Sequence, residues 1–197
     1  MPEGAVVGVL LAGGGARRFG TQKLVHPIGG VPLVRRAAEG LLASTLDAVV
    51  VVLGSDAARV GEALAGLPLR TVVASDWSDG MSATLRRGVE ALGEDAGAAL
   101  VALGDQPAVA AGIVDPLVAH WRAGGALVVA PSFRGAVRPP VLFDRALFGE
   151  LGALRGDRGA RAVLEADPSR VATVSFDRDP PADVDEPGDV APLDSAG

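Results

Sequence analysis

The chain alternates between short apolar runs and longer stretches in which apolar positions recur every three or four residues. The runs "VVGVLL" (6–11), "AVVVVL" (48–53), "LRTVVA" (69–74), "ALVALG" (99–104) and "ALVVAP" (126–131) are rich in Val, Leu and Ala. Near-continuous runs of this kind are what parallel strands covered on both faces require. Between them "VPLVRRAAEGLLAS", "DAARVGEALAGL", "MSATLRRGVEAL" and "GIVDPLVAHWRAG" carry helical spacing, with Pro32 placed where a first helical turn accepts it. The βαβαβ rhythm predicts an α/β fold of three layers around a mostly parallel sheet. After residue 131 the rhythm weakens. "PSFRGAVRPPVLF" predicts an extended or looping segment, "DRALFGEL" and "GARAVLEA" short helices, and "RVATVSF" one more strand. The tail "DRDPPADVDEPGDVAPLDSAG" is acidic and proline-rich, and residues 191–197 are expected to be mobile. With no internal repeat and no linker, a single domain over residues 1–197 is expected.

Composition narrows the chemistry. Aromatics make up only 4% of the chain, so the core has to be built from Ala, Val and Leu. A net charge of −6 argues against a nucleic-acid partner held by a basic surface. Without cysteine there is no disulfide, thiol nucleophile or thiolate metal site. Two histidines, His26 and His120, leave little room for a multi-histidine metal centre, and both read as structural. The N-terminal run lacks a basic flank and no window reaches the roughly 20 apolar residues of a membrane span, so a cytoplasmic protein is expected. Lys23 is the only lysine, set among 17 arginines. Lysine supplies a compact point charge that the flat arginine fork does not.

That lysine closes "LLAGGGARRFGTQK" (10–23), a glycine loop directly behind the first predicted strand. Glycine loops in this place hold phosphate through backbone N–H groups. The dinucleotide fingerprint G-x-G-x-x-G fits Gly13 and Gly15 but meets Arg18 at its third glycine. The P-loop pattern fits Gly15 and Gly20 but meets Thr21 where it needs lysine, and no helix follows at once.

The pattern L-A-x-G-x-x-x-R-x-G-x-x-K does match, from Leu11 to Lys23. Here the chain resembles the MobA-like nucleotidyltransferases, and among them the cytidylyl- and guanylyltransferases that complete the molybdenum cofactor. Further segments carry the resemblance: "GDQP" with Asp105, "GMSATL" with Gly80 and Ser82, "VDEPGDV" with Asp185 and with Asp183 just before it, and "GDRGAR" with Asp157, Gly159 and Arg161. The resemblance implies a Rossmann-like nucleotidyltransferase fold of the GT-A type. It implies transfer of a nucleoside monophosphate from CTP, or less favourably GTP, to a phosphorylated acceptor of the molybdopterin type, with a molybdoenzyme as a possible later partner.

Roles follow residue by residue. Leu11, Ala12, Gly13, Gly14, Gly15, Arg18, Lys23, Gly80, Ser82 and Asp105 are expected to bind nucleotide. Of these, Arg18 would grip the outer phosphates by its fork, Lys23 would face the α-phosphate, and Asp105 with Asp185 would hold Mg²⁺. Lys23, Arg18 and Asp105 are the expected catalytic set, and Pro140, Asp157, Gly159 and Arg161 the expected acceptor side.

The sequence departs from the family at three places. Ala16 replaces a frequent serine, Arg138 and Pro139 replace a Gly-His pair, and Gly13 spells the loop as guanylyltransferases do while the other motifs look cytidylyl. Two other readings stay open: a nucleotidyltransferase for a sugar phosphate or other small phosphate acceptor, and a non-catalytic nucleotide- and cofactor-holding chaperone of a molybdoenzyme. Ser78 or Asp79 as a helix cap, and Asp157 as another, are the plain structural alternatives at two of the motifs.

Overall fold

A computed structural model describes residues 2–14 and 22–184. In chain order its strands and α-helices are β1 (Ala5–Ala12), β2 (Pro27–Ile28), β3 (Val31–Pro32), α1 (Leu33–Leu42), β4 (Ala48–Leu53), α2 (Ala57–Ala63), β5 (Arg70–Val73), α3 (Met81–Glu90), β6 (Ala96–Leu103), α4 (Ala111–Ala123), β7 (Val128–Phe133), β8 (Ala136–Val137), β9 (Val141–Asp144), α5 (Phe148–Ala153), α6 (Arg161–Ala166) and β10 (Val171–Phe176). Each run read as a strand forms one, and each helical stretch contains a helix.

The main sheet runs β10-β7-β9-β6-β1-β4-β5, with β8 added beside β7. Pairs β1–β4, β1–β6, β4–β5 and β7–β10 are parallel. Along β1, Val6, Leu10 and Ala12 pack with α1, α2 and α4, whereas Val9 and Leu11 pack with α3, α5 and α6. Two helical layers therefore cover the two faces of one sheet, which is why the strands are apolar on both sides.

Strand β9 corrects the reading of 131–143 as merely extended. It lies antiparallel between β6 and β7, with Leu100 opposite Leu142 and Val129 opposite Leu142. Its four residues are too few for a periodic signal, and the tandem prolines just before it mask its start. Pro32 is also placed differently: it stands at the N-cap of α1, one residue before the first helical turn.

The sheet has its switch point at β1, whose successor strand β4 lies on one side and β6 on the other. Open α/β sheets bind ligands beyond the carboxyl ends of strands at such a point. The Gly104 N–H donates to the Leu11 carbonyl at 2.9 Å and keeps the ends of β6 and β1 together there. Among the described residues no helix is long and apolar enough to cross a membrane.

Candidate functional site

A cleft of about 590 Å³ opens over these strand ends. Leu11, Gly13 and Gly14 enter it from the end of β1, Leu103 and Asp105 from the end of β6, and Lys23 from a one-turn 3-10 helix over Lys23–Val25. Gln22 starts that turn. Its buried side chain accepts from the Leu24 N–H and donates to the Ser55 carbonyl at 2.9 Å, tying the lysine turn to the loop after β4.

Lys23 Nζ donates to Asp105 Oδ2 at 2.8 Å and to the Val184 carbonyl at 3.0 Å. The pair is only 17% and 24% exposed, so it is less screened by water than a surface pair. Asp105 Oδ1 is buried and has no hydrogen-bond partner among the described residues. A buried oxygen without a partner costs about 1–3 kcal/mol or more when charged. It is the kind of donor a hard divalent cation takes. Among the described residues no three His, Asp, Glu or Cys gather as a complete metal cage. Mg²⁺ does not need one, since it is commonly held by one or two carboxylates together with substrate phosphates and water. The donor set fits that ion.

The second wall comes from the turn before α3. Gly80 has φ +109°, and a Cβ there would stand 2.5 Å from the Gly156 carbonyl group and 2.7 Å from Asp157 Oδ1. Only glycine allows this approach. Helix α3 has Gly80 as its N-cap with no side-chain cap, so neither Ser78 nor Asp79 caps it. Ser82 was expected on the cleft. It is instead buried at 2%, does not line the cleft, and spends its N–H on the Gly156 carbonyl at 3.1 Å. Ala12 is likewise buried and off the cleft.

Trp77, Met81, Thr84 and Leu24 line the cleft and were not singled out in the sequence. Helical spacing places Met81 and Thr84 one turn apart on α3, which was the available signal. At Gly13 a Cβ would run into the Thr84 side chain. Packing against α3 thus accounts for the glycine that spelled the loop in the guanylyltransferase manner.

A larger cleft of about 800 Å³ adjoins the first and shares Leu11, Met81, Leu103 and Asp157 with it. Asp157, Gly159 and Arg161, named above for the acceptor side, line it. Pro140 does not; it is buried, and its cis-bonded neighbour Pro139 faces the cleft together with Arg138. The two positions that depart from the family therefore lie on this wall. Asp157 is no helix cap, because α6 begins after Ala160 without a side-chain cap. Gly15, Arg18 and Asp185 lie outside the described residues.

Beside the first cleft, Asp76 accepts from Arg86 at 2.5 Å, a hydrogen bond from α3 back to the turn that carries Trp77. That bond holds the Asp76 carboxyl below its ordinary value, with smaller contributions from a backbone hydrogen bond and the charges of Arg86 and Arg87. Behind the second cleft, Arg170 forks onto Glu150 at 2.7 and 3.1 Å and lowers the Glu150 carboxyl in the same way.

Comparison with known proteins matches a family model for the MobA-like NTP transferase domain to residues 8–172. The bifunctional protein GlmU of Kineococcus radiotolerans is 35% identical over 164 residues, which is 82% of this chain but 32% of that protein. The purine catabolism protein PucB of Bacillus subtilis is 31% identical over 171 residues, covering 82% of this chain and 81% of PucB. A molybdenum cofactor guanylyltransferase of Rhodobacter capsulatus is 40% identical over 65 residues, 33% of each chain. The chain thus spans about a third of the GlmU protein and of this guanylyltransferase, and most of PucB.

Among solved structures, the Rv0371c homolog from Mycobacterium sp. strain JC1 has a TM-score of 0.87 at 31% identity, covering 97% of this chain and 96% of that one. Rv0371c of Mycobacterium tuberculosis H37Rv in complex with manganese has a TM-score of 0.84 at 25% identity, covering 98% and 100%.

Proposed function

The chain belongs to the MobA-like NTP transferase family, and we propose that it moves a nucleoside monophosphate from CTP to a phosphorylated acceptor of the molybdopterin type, in the cytoplasm, releasing pyrophosphate. One observation carries this reading. A lysine and an aspartate 82 positions apart meet at 2.8 Å on the wall of a cleft at the sheet's switch point, and the aspartate keeps a buried oxygen without a partner among the described residues.

The nucleotide lies in the first cleft, its triphosphate against the backbone of Gly13 and Gly14. Asp105 and Asp185 would hold Mg²⁺, which would supply neutralisation of phosphate charge. Lys23 moves its ammonium onto the α-phosphoryl, where negative charge develops, and Arg18 orients the leaving pyrophosphate. An acceptor phosphate oxygen attacks the α-phosphorus in line. A phosphate monoester is already largely ionised near pH 7, so no general base is needed. Catalysis is positioning plus charge stabilisation.

The second cleft takes the acceptor. Arg138 and Arg161 offer cationic forks for its phosphate, and Val101, Leu103, Val141 and Val171 form an apolar wall suited to a flat ring system. CTP is favoured over GTP because "GMSATL", "GDQP" and "GDRGAR" look cytidylyl, and Gly13 has its own packing reason.

The test is pyrophosphate release with CTP or GTP, Mg²⁺ and molybdopterin. Release that requires all three components, faster with CTP, is the expected result. Absence of release with either nucleotide, despite nucleotide binding, would favour the carrier reading over the enzyme.

A further inference from the structure

The residue after Asp105 lines neither cleft, yet its side chain is among the few buried polar ones. Gln106 is 2% exposed. Its Nε2 donates to Asp183 Oδ1 at 2.6 Å across 77 positions of sequence, while its Oε1 has no hydrogen-bond partner among the described residues. The one bond that orients this amide therefore runs to the C-terminal segment. Nε2 is the end that must face a carboxylate, since only it can donate, and a charged acceptor accounts for the short distance.

Next in the chain, Val184 is fully buried in the main core. Its N–H donates to the Asp105 carbonyl at 3.0 Å and its carbonyl accepts from Lys23 Nζ at 3.0 Å. Residues 183–184 thus form a strap across the end of β6. The strap is held at Asp183 by Gln106 and at Val184 by Asp105, and it grips the ammonium of Lys23 in turn.

We propose that Gln106 is a positioning residue, the latch of this strap, and that Asp183 serves as the latch's acceptor and not as a metal ligand. The proposal rests on the nucleotidyltransferase reading, in which Asp105 faces the metal. Gln106 and Asp183 act through the backbone of Val184, which sets where Lys23 and Asp105 stand. The acidic stretch "ADVDEP" (182–187) contains two aspartates, Asp183 and Asp185, of matching direction in an extended chain. The Gln106 bond engages Oδ1 of Asp183 and aims that carboxylate at the amide behind Asp105.

The test uses the full chain and four variants: Gln106→Leu, Asp183→Ala, Asp183→Asn, and the Gln106→Leu/Asp183→Ala double. Gln106→Leu keeps the buried volume and removes only the polar contact. The first readout is amide hydrogen exchange at Val184 without nucleotide or metal. Faster exchange in Gln106→Leu and Asp183→Ala, with exchange in the sheet unchanged, is expected; unchanged exchange at Val184 overturns the latch.

The second readout is Mn²⁺ binding, followed by electron paramagnetic resonance in the presence of a non-hydrolysable CTP analogue. Gln106→Leu and Asp183→Ala each weaken it by ~10–100-fold, the scale for a partner one shell behind a metal ligand. The double variant is no worse than either single, and Asp183→Asn, which still offers an oxygen to Nε2, stays near wild type. An asparagine as damaging as the alanine assigns Asp183 to the metal and overturns the proposal. So does faster exchange with unchanged Mn²⁺ affinity. If the unaltered chain binds no Mn²⁺ with the analogue, the reading of function fails and the positioning role with it, while exchange still decides whether the latch exists.

Discussion

Lys23 and Asp105 are 82 positions apart in the chain and 2.8 Å apart in space. They leave different elements, the turn after the glycine loop and the end of β6, and they share the wall of one cleft. A metal-bound triphosphate brought there would find a compact cation and a hard oxygen donor already facing each other.

If Lys23 stabilises charge on the α-phosphoryl, Lys23→Ala lowers turnover by ~10²–10³, the scale of one preorganised donor. Nucleotide affinity should change far less. Steady-state kinetics with CTP read both. Unchanged turnover in a variant that folds normally would remove the role.

Asp105→Asn keeps the shape of the side chain and removes its charge. Metal-dependent pyrophosphate release should fall to background, and Mn²⁺ bound with nucleotide should be lost from the resonance spectrum. Release that persists after chelation of the metal would contradict the assignment.

Gly80 and Gly30 both have positive φ, +109° and +78°, but only Gly80 has backbone where a Cβ would go. Gly80→Ala should cost ~1–3 kcal/mol from overpacking in addition to backbone strain. It should also raise KM for nucleotide and acceptor together, because one displaced neighbour, Asp157, lines both clefts. Gly30→Ala carries the backbone strain alone. Denaturant melts and both KM values separate the two, and equal effects would show that the contact at Gly80 has no special role.

Acid should loosen the cleft turn before the core. Hydrogen bonding to Arg86 lowers the folded-state value of Asp76 from its ordinary 3.8. Stabilisation from a depressed carboxyl is complete above its unfolded value and is lost as pH falls through the folded one. The melting temperature should therefore be insensitive to this pair from neutrality down to about pH 5 and decline below about pH 4. Asp76→Asn should lower the melting temperature at pH 7 and flatten the decline. A variant whose acid profile matches the parent would discount the pair.

Much of the layout could be read from the chain. Four of the apolar runs, those of β1, β4, β6 and β7, are strands whose burial on both faces leaves no alternation to obscure them, whereas the edge strands β5 and β10 are partly exposed and are legible from their Val- and Thr-rich composition. Lys23, Asp105, Gly80 and Asp157 could be named because motif spacing ties each to a strand or helix end. Ser82 and Pro140 show where such spacing stops. Both sit in the right segment, one residue away from the cleft wall made by Met81 and Pro139. A motif gives the segment, but the local backbone decides which side chain faces in. Trp77 and Thr84 were missed for a related reason, since their environment comes from Gly54 and Gly13, residues of other elements.

By itself, the sequence determined the α/β class, the covered sheet and the loops that carry chemistry, because these depend on local periodicity and on residue types at strand ends. Only the tertiary structure decided that β9 runs antiparallel between β6 and β7, that Lys23 reaches Asp105, and that Gln106 reaches Asp183. Those are pairings between distant positions. Their direction and reach follow from how the layers stack, which no local pattern of apolar and polar residues specifies.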